Sequence, residues 1–192
     1  HFLRPPPLHP RCCSSAASSV FQRQNLDIKN EFLINIYKYG LLLCASQAMK
    51  IGSNSLCNDS LSISITDSEA LKTLNKKYLG EDKATDVLSF PNKLNWNEGI
   101  EDNHIEDNFN NENYLGDVFI SFEKVIEHSK LYKTEKNLEL NIILAHGILH
   151  LLGYDHYDES SRIKINQLTV DIIKNLKLDY KKAEKSLELR NE

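Results

Sequence analysis

Apolar residues recur along this chain at two spacings, and the switches between them outline its elements. Phe32, Leu33, Ile36, Tyr37, Leu41 and the run from Leu43 to Ala48 repeat three and four apart, which predicts a helix over about 30–49. Leu61, Ile63 and Ile65 alternate with Ser62, Ser64 and Thr66, the period-two pattern of a strand with one buried face. Thr66 followed by Glu69 has the form of a capping box and opens a helix through Ala70, Leu71 and Leu74 that stops near Gly80. Val87 to Phe90 reads as a short strand closed by Pro91, and Tyr114 to Ile120 as another. Ser121 is placed to cap a helix through Val125, Ile126 and Leu131. Glu135 to Leu152 is apolar on most sides and predicts a buried helix. Asp158 can cap a last amphipathic helix carrying Ile165, Leu168, Ile172 and Leu176. Leu26 to Ile28 is expected as an edge strand and Gly52 to Asp59 as a loop.

These elements interleave without regular alternation, and no internal repeat is present. The expected fold is therefore α+β: a small mixed β-sheet of about four strands packed with helices, organised around the long helix near residue 146. The 192 residues suit one domain with a single core, expected over 25–180.

Composition changes the picture at both ends and in the middle. Residues 1–24 hold three arginines, no acidic residue, a Pro5-Pro6-Pro7 run and a serine-alanine stretch. Such a segment cannot build a core and reads as a disordered leader, transit-peptide-like or artefactual. Residues 181–192 are lysine-rich and expected to fray. Between 92 and 113, eight asparagines and six acidic residues face one lysine, the signature of a solvated acidic loop between two strands. That loop accounts for the formal net charge of −4, so the rest of the chain is close to neutral. Overall charge thus does not advertise a nucleic-acid binder, and any RNA contact must come from a local basic surface. Cys12, Cys13, Cys44 and Cys57 form no CxxC pair and read as thiols of a reducing compartment. The run from Tyr39 to Ala48 is too short for a membrane span.

The chemistry concentrates in Ala145-His146-Gly147-Ile148-Leu149-His150-Leu151-Leu152-Gly153-Tyr154-Asp155-His156. His146 and His150 are four apart, so on a helix both imidazoles reach one metal ion from the same face. Gly153 suits the position just past a helix end, because glycine takes the left-handed conformation freely. The chain then turns back and brings His156 to the metal from a third direction. Three nitrogen ligands with one open position make the catalytic arrangement for zinc, whereas structural sites are closed by four ligands. The alternative is that the histidines are only polar residues on a core helix. Desolvating unpaired imidazoles would then cost about 1–3 kcal/mol each, a cost that ligation removes. Asp155 is a candidate to orient a ligand histidine, or a plain turn-former after Gly153.

The HGxLHLxGYDH string, with Thr85-Asp86-Val87-Leu88-Ser89-Phe90-Pro91 and Leu115-Gly116-Asp117-Val118-Phe119-Ile120-Ser121 upstream, resembles the YbeY family of bacterial and organellar rRNA maturation factors. The likeness runs from about Leu26 to about Leu178. It implies a single-domain, zinc-dependent, single-strand-specific endoribonuclease with one Zn2+ per chain on His146, His150 and His156. It also implies a role in maturing the 3′ end of small-subunit rRNA and in ribosome quality control. RNA is then the partner, with small-subunit ribosomal proteins besides, and neither DNA nor a membrane. The implied location is the bacterial-type cytoplasm, or a plastid or mitochondrion if residues 1–24 are a transit peptide. Asp117 is implied to lie by the site as a catalytic residue together with Asp155, and Asp86 is read the same way. Each has a bland alternative as a turn or cap.

The spacing HxxxHxxGxxH is shared with metzincin proteases, which carry a glutamate base directly after the first histidine. Here that position is Gly147, which has no side chain to take a proton. Phosphodiester cleavage depends more on charge neutralisation and positioning, so the substitution favours RNA over peptide. One departure from the family counts the other way. Its members carry an arginine directly after the aromatic residue of an LNxxYR segment, facing substrate phosphates, and this chain reads Leu74-Asn75-Lys76-Lys77-Tyr78-Leu79. Either Lys76, Lys77 or Lys83 substitutes, or the chain is a weaker nuclease. Three functions are open: an endoribonuclease, an RNA or ribosome assembly factor with structural zinc, and, third, a metalloprotease.

Overall fold

Twelve of the sixteen residues of one helix, Lys136–Leu151, are buried, so the rest of the chain is arranged around it rather than beside it. The computed structural model describes residues 28–53, 60–92 and 114–190. In chain order the elements are α1 (Ile28–Ser53), β1 (Ser60–Thr66), α2 (Ser68–Leu79), β2 (Val87–Pro91), β3 (Tyr114–Ser121), α3 (Phe122–Leu131), α4 (Lys136–Leu151), α5 (Glu159–Asn175) and α6 (Tyr180–Leu189). No helix among the described residues is long and apolar enough to cross a membrane.

The sheet is mixed, with strand order β1-β3-β2: β1 runs parallel and β2 antiparallel to the central β3. Alternation decides which side chains face α4. Leu61, Ile63, Ile65, Val118 and Ile120 join Ile143, Leu144, Ile148 and Leu149 in the main core, closed on the other side by Leu41, Cys44, Ala45 and Ala48 of α1. Burial pushes the Cys44 thiol far above its ordinary range, so it behaves as a small apolar residue. α2 lies on the opposite face of the sheet, with Tyr78 edge-on to Phe90 and Phe90 edge-on to Phe119.

The α+β class and the mixed sheet agree with expectation, while several details differ. The described residues contain three strands rather than about four: Ile28, expected at the end of an edge strand, is the first residue of α1, and Leu26 lies outside the described residues. α1 runs on to Ser53, through the start of the expected loop, because the apolar residues Met49 and Ile51 continue its packing. α2 is capped by Asp67, whose Oδ1 accepts from Ala70 N at 2.7 Å, not by Thr66, which is spent in β1. Ser121 and Asp158 cap α3 and α5 as expected. The expected fraying beyond Leu178 is replaced by α6, which is capped by Asp179 and buries Ala183 and Leu187 against Leu138, Ile142, Val170 and Ile173. Its apolar positions are too few to stand out among three lysines and two glutamates, yet two buried side chains dock it. The leader at 1–24 and nearly all of the acidic loop at 92–113 lie outside the described residues.

Candidate metal centre

α4 presents His146 and His150 one turn apart, and their Nε2 atoms stand 3.1 Å from each other. α4 ends at Leu151, and Gly153 follows in the left-handed region at φ 88°, which lets the chain reverse within two residues. Tyr154 N closes the turn on Leu149 O at 3.0 Å, and Gly153 N bonds His150 O at 3.0 Å. The returning segment sets the His156 ring in parallel against that of His146, with centroids 5.8 Å apart, and 5.1 Å from that of His150. One ligand atom from each histidine falls within 4.8 Å of the others, and this is the one such group of three among the described residues.

Three imidazole nitrogens fit a first-row divalent ion. A tetrahedral zinc at about 2.0–2.1 Å from nitrogen separates its donors by about 3.3 Å, close to the His146–His150 spacing. Burial, then the neighbouring histidines, holds His146 well below the ordinary imidazole value of 6.5, and burial lowers His150 too. Both are therefore neutral at physiological pH, the form that ligates. His146 and His150 are partly buried and the His156 side chain is half-exposed, so the centre opens to solvent on the His156 side.

Two ligand candidates have a partner that orients the ring, and one does not. His150 Nδ1 is 2.9 Å from Tyr154 O, which selects the tautomer with Nε2 free as donor. Asp155 Oδ1 lies 3.5 Å from His156 Nδ1 and 4.0 Å from His150 Nδ1, and also accepts from His156 N at 2.7 Å. Asp155 thus accepts from the main chain of the returning turn and stands near both outer rings. His146 Nδ1 is buried with no hydrogen-bond partner.

Asp117 is not brought to the histidines. Val118 faces Gly147 of α4, so Asp117, one residue earlier, points to the α2 face of the sheet, where Tyr114 Oη donates to its Oδ1 at 2.7 Å. The two meet because β3 carries an extra residue: Ser60 pairs with Tyr114 and Leu61 with Gly116, which leaves Leu115 over and puts Tyr114 on the side of Asp117. Gly116 sits at φ 137°, and a Cβ there would come 2.1 Å from Phe90 O. The aspartate whose charge reaches His150, besides Asp155, is Asp86.

Several residues of the quoted motifs support the centre through contacts that their spacing did not show. Ser89 Oγ donates to Gly147 O at 2.8 Å and pins β2 to α4. Tyr154 Oη donates to Gly52 O at 2.8 Å and ties the ligand turn to the end of α1. A Cβ at Gly147 would meet Val87 Cγ2 at 2.9 Å, Val118 Cγ1 at 3.0 Å and Ser89 Oγ at 3.1 Å. The site where a metzincin places its glutamate is therefore filled by the sheet, not merely short of a side chain.

Residues 21–177 match the sequence pattern of the family described as Endoribonuclease YbeY. Endoribonuclease YbeY of Syntrophomonas wolfei is 40% identical over 122 residues, spanning 64% of this chain and 76% of the relative. That of Clostridium botulinum is 28% identical over 160 residues, spanning 79% of this chain and 92% of the relative. A Thermoanaerobacter relative of the same description is 37% identical over 121 residues, with 63% and 76% covered. The solution structure of TM1509 from Thermotoga maritima aligns with 83% of this chain and 91% of its own at 20% identity and a TM-score of 0.45.

Proposed function

The chain belongs to the endoribonuclease YbeY family, and on that premise we propose that it is a zinc-dependent endoribonuclease that cleaves single-stranded regions of rRNA during small-subunit maturation and ribosome quality control. The observation that carries the metal-dependent reading is the convergence of His146, His150 and His156. A zinc ion bound there supplies a nucleophile at neutral pH and neutralises charge on a phosphodiester. The chain's own contribution is to keep His146 and His150 neutral by burial, to aim His150 through Tyr154 O, and to hold Asp155 beside the two outer histidines. Asp155 is proposed to take part in catalysis through the two histidines whose Nδ1 atoms it lies beside. Asp117 is proposed for a supporting role on the far face of the sheet instead of direct chemistry at the centre.

Peptide hydrolysis by the metzincin route is disfavoured on packing, since Gly147 has no room for the base. A binding factor with structural zinc is favoured by one observation. Leu79, where the family carries its arginine, ends α2 with 40% of its surface exposed and offers phosphate no donor. Lys76 is engaged by Asp82 at 2.8 Å and Lys83 by Glu81 at 2.6 Å, so Lys77, over the Tyr78 ring, is the nearest substitute. Cleavage of single-stranded RNA and of casein by zinc-loaded protein and by His150→Ala separates the three. RNA cleavage lost with the zinc in the variant supports the nuclease. Zinc-bound protein that binds RNA without cutting it supports the assembly factor.

A further inference from the structure

Beyond the residues matched by the family pattern, α6 ends in a side chain that reaches back into the domain. The Arg190 guanidinium donates through Nη2 to Glu139 Oε2 and through Nη1 to Asp86 Oδ2 at 3.3 Å, with its plane over the Tyr132 ring. Glu139 has no exposed surface. Its Oε1 accepts from Thr134 Oγ1 at 2.6 Å and Ser186 Oγ at 2.9 Å, so with Arg190 both of its oxygens are partnered.

The two acids so joined belong to the two elements that pack together beside His146: Glu139 lies in α4, and Asp86 is the residue before β2. Glu139 is seven residues before His146, two turns down the same face of α4. Asp86 directly precedes Val87, the residue whose methyl lies against Gly147. The two-armed bridge between them ties the head of β2 to α4 a second time, besides the Ser89–Gly147 hydrogen bond. His146 is the ligand candidate that depends on this packing, because His150 and His156 are aimed by Tyr154 and Asp155 while the Nδ1 of His146 has no partner.

We propose that Arg190 is a positioning residue for the three-histidine centre: by clasping Glu139 to Asp86 it fixes β2 on α4 beside Gly147 and thereby the aim of His146. This rests on the zinc reading above. It also gives the C-terminal helix a function-linked reason to be folded, since the domain buries Glu139 only with α6 in place.

The test is made on the full chain. Arg190→Ala strands the buried Glu139 carboxylate and puts the fold at risk on that account alone, so the deciding variant is the charge-neutral pair Arg190→Met with Glu139→Gln. The glutamine keeps an acceptor for Thr134 and Ser186, and the pair leaves the net charge near the centre unchanged. Zinc affinity by competition with a chromophoric chelator is expected to fall about 10- to 100-fold, the usual effect of losing an outer-shell support. The absorption bands of the cobalt-substituted protein should shift with it. Wild-type zinc affinity and an unchanged cobalt spectrum in the folded pair would overturn the proposal and leave Arg190 as a counter-ion for Glu139. If the pair does not fold, Arg190→Lys decides: it retains the counter-ion but cannot span both acids, and wild-type affinity there would equally overturn the clasp. The nuclease reading fails separately, if zinc-loaded wild-type protein leaves RNA intact. Wild-type protein that binds no zinc defeats both.

Discussion

The Ser89 hydroxyl donates to the main-chain carbonyl of Gly147 at 2.8 Å, across 58 positions of sequence, and so fixes the distance between β2 and the helix that carries the histidines. That distance leaves no space for a side chain at 147. Gly147→Ala gains about 1 kcal/mol of helix propensity but must displace Val87 and Val118, at about 1–3 kcal/mol. A net loss of about 1 kcal/mol is expected in a urea titration. Gly147→Glu should lose at least about 3 kcal/mol and show no activity on casein. A stable Gly147→Glu protein that cut casein would contradict the packing argument.

Acid should destabilise the metal-free protein through His146 and His150. Their folded pKa values lie below the ordinary 6.5, so between the two values the unfolded chain binds protons that the folded chain does not. Stability is then full above about pH 6.5 and falls as the pH drops through it, by at most about 1.4 kcal/mol per pH unit for each histidine. Thermal melts of metal-free protein from pH 8 to pH 5, compared with a His146→Phe/His150→Phe variant, measure this. A variant with the same pH dependence as the wild type would show that these two rings are not its source.

Tyr154→Phe removes the hydroxyl that reaches Gly52 O but keeps the ring and the carbonyl that aims His150. The expected cost is about 1–2 kcal/mol, because the buried carbonyl is left without its donor. Zinc stoichiometry should stay at one per chain. Loss of zinc in this variant would mean that the tether to α1, and not the local turn, places the ligands.

Leu79→Arg should be tolerated, since the side chain is 40% exposed at the last position of α2. A melting temperature within a few degrees of wild type is expected. On the nuclease reading, RNA affinity rises by about 1.5–3 kcal/mol through a charge-assisted phosphate contact, and its salt dependence steepens by about one counterion. A salt titration that shows neither change would place RNA elsewhere on the protein.

The three-histidine cluster was legible because it is local. A four-residue spacing puts two rings on one helix face by geometry, and glycine at 153 permits the reversal that returns His156, so no distant contact had to be known. The same holds for the caps at Ser121 and Asp158, each bonding a main-chain N–H three residues on. The meeting of Tyr114 with Asp117 was not legible. It follows from one extra residue in β3 relative to β1, which puts Tyr114 on the side of Asp117, and a bulge is a property of two paired strands that neither carries alone. Nor could Arg190, Glu139 and Asp86 be joined by pattern, because residues separated by 51 and 104 positions meet only when α6 has docked through Ala183 and Leu187. Local spacing determined which imidazoles converge. Only the packing of sheet and terminal helix on α4 decided which other side chains reach that helix, since such contacts depend on where whole elements come to rest.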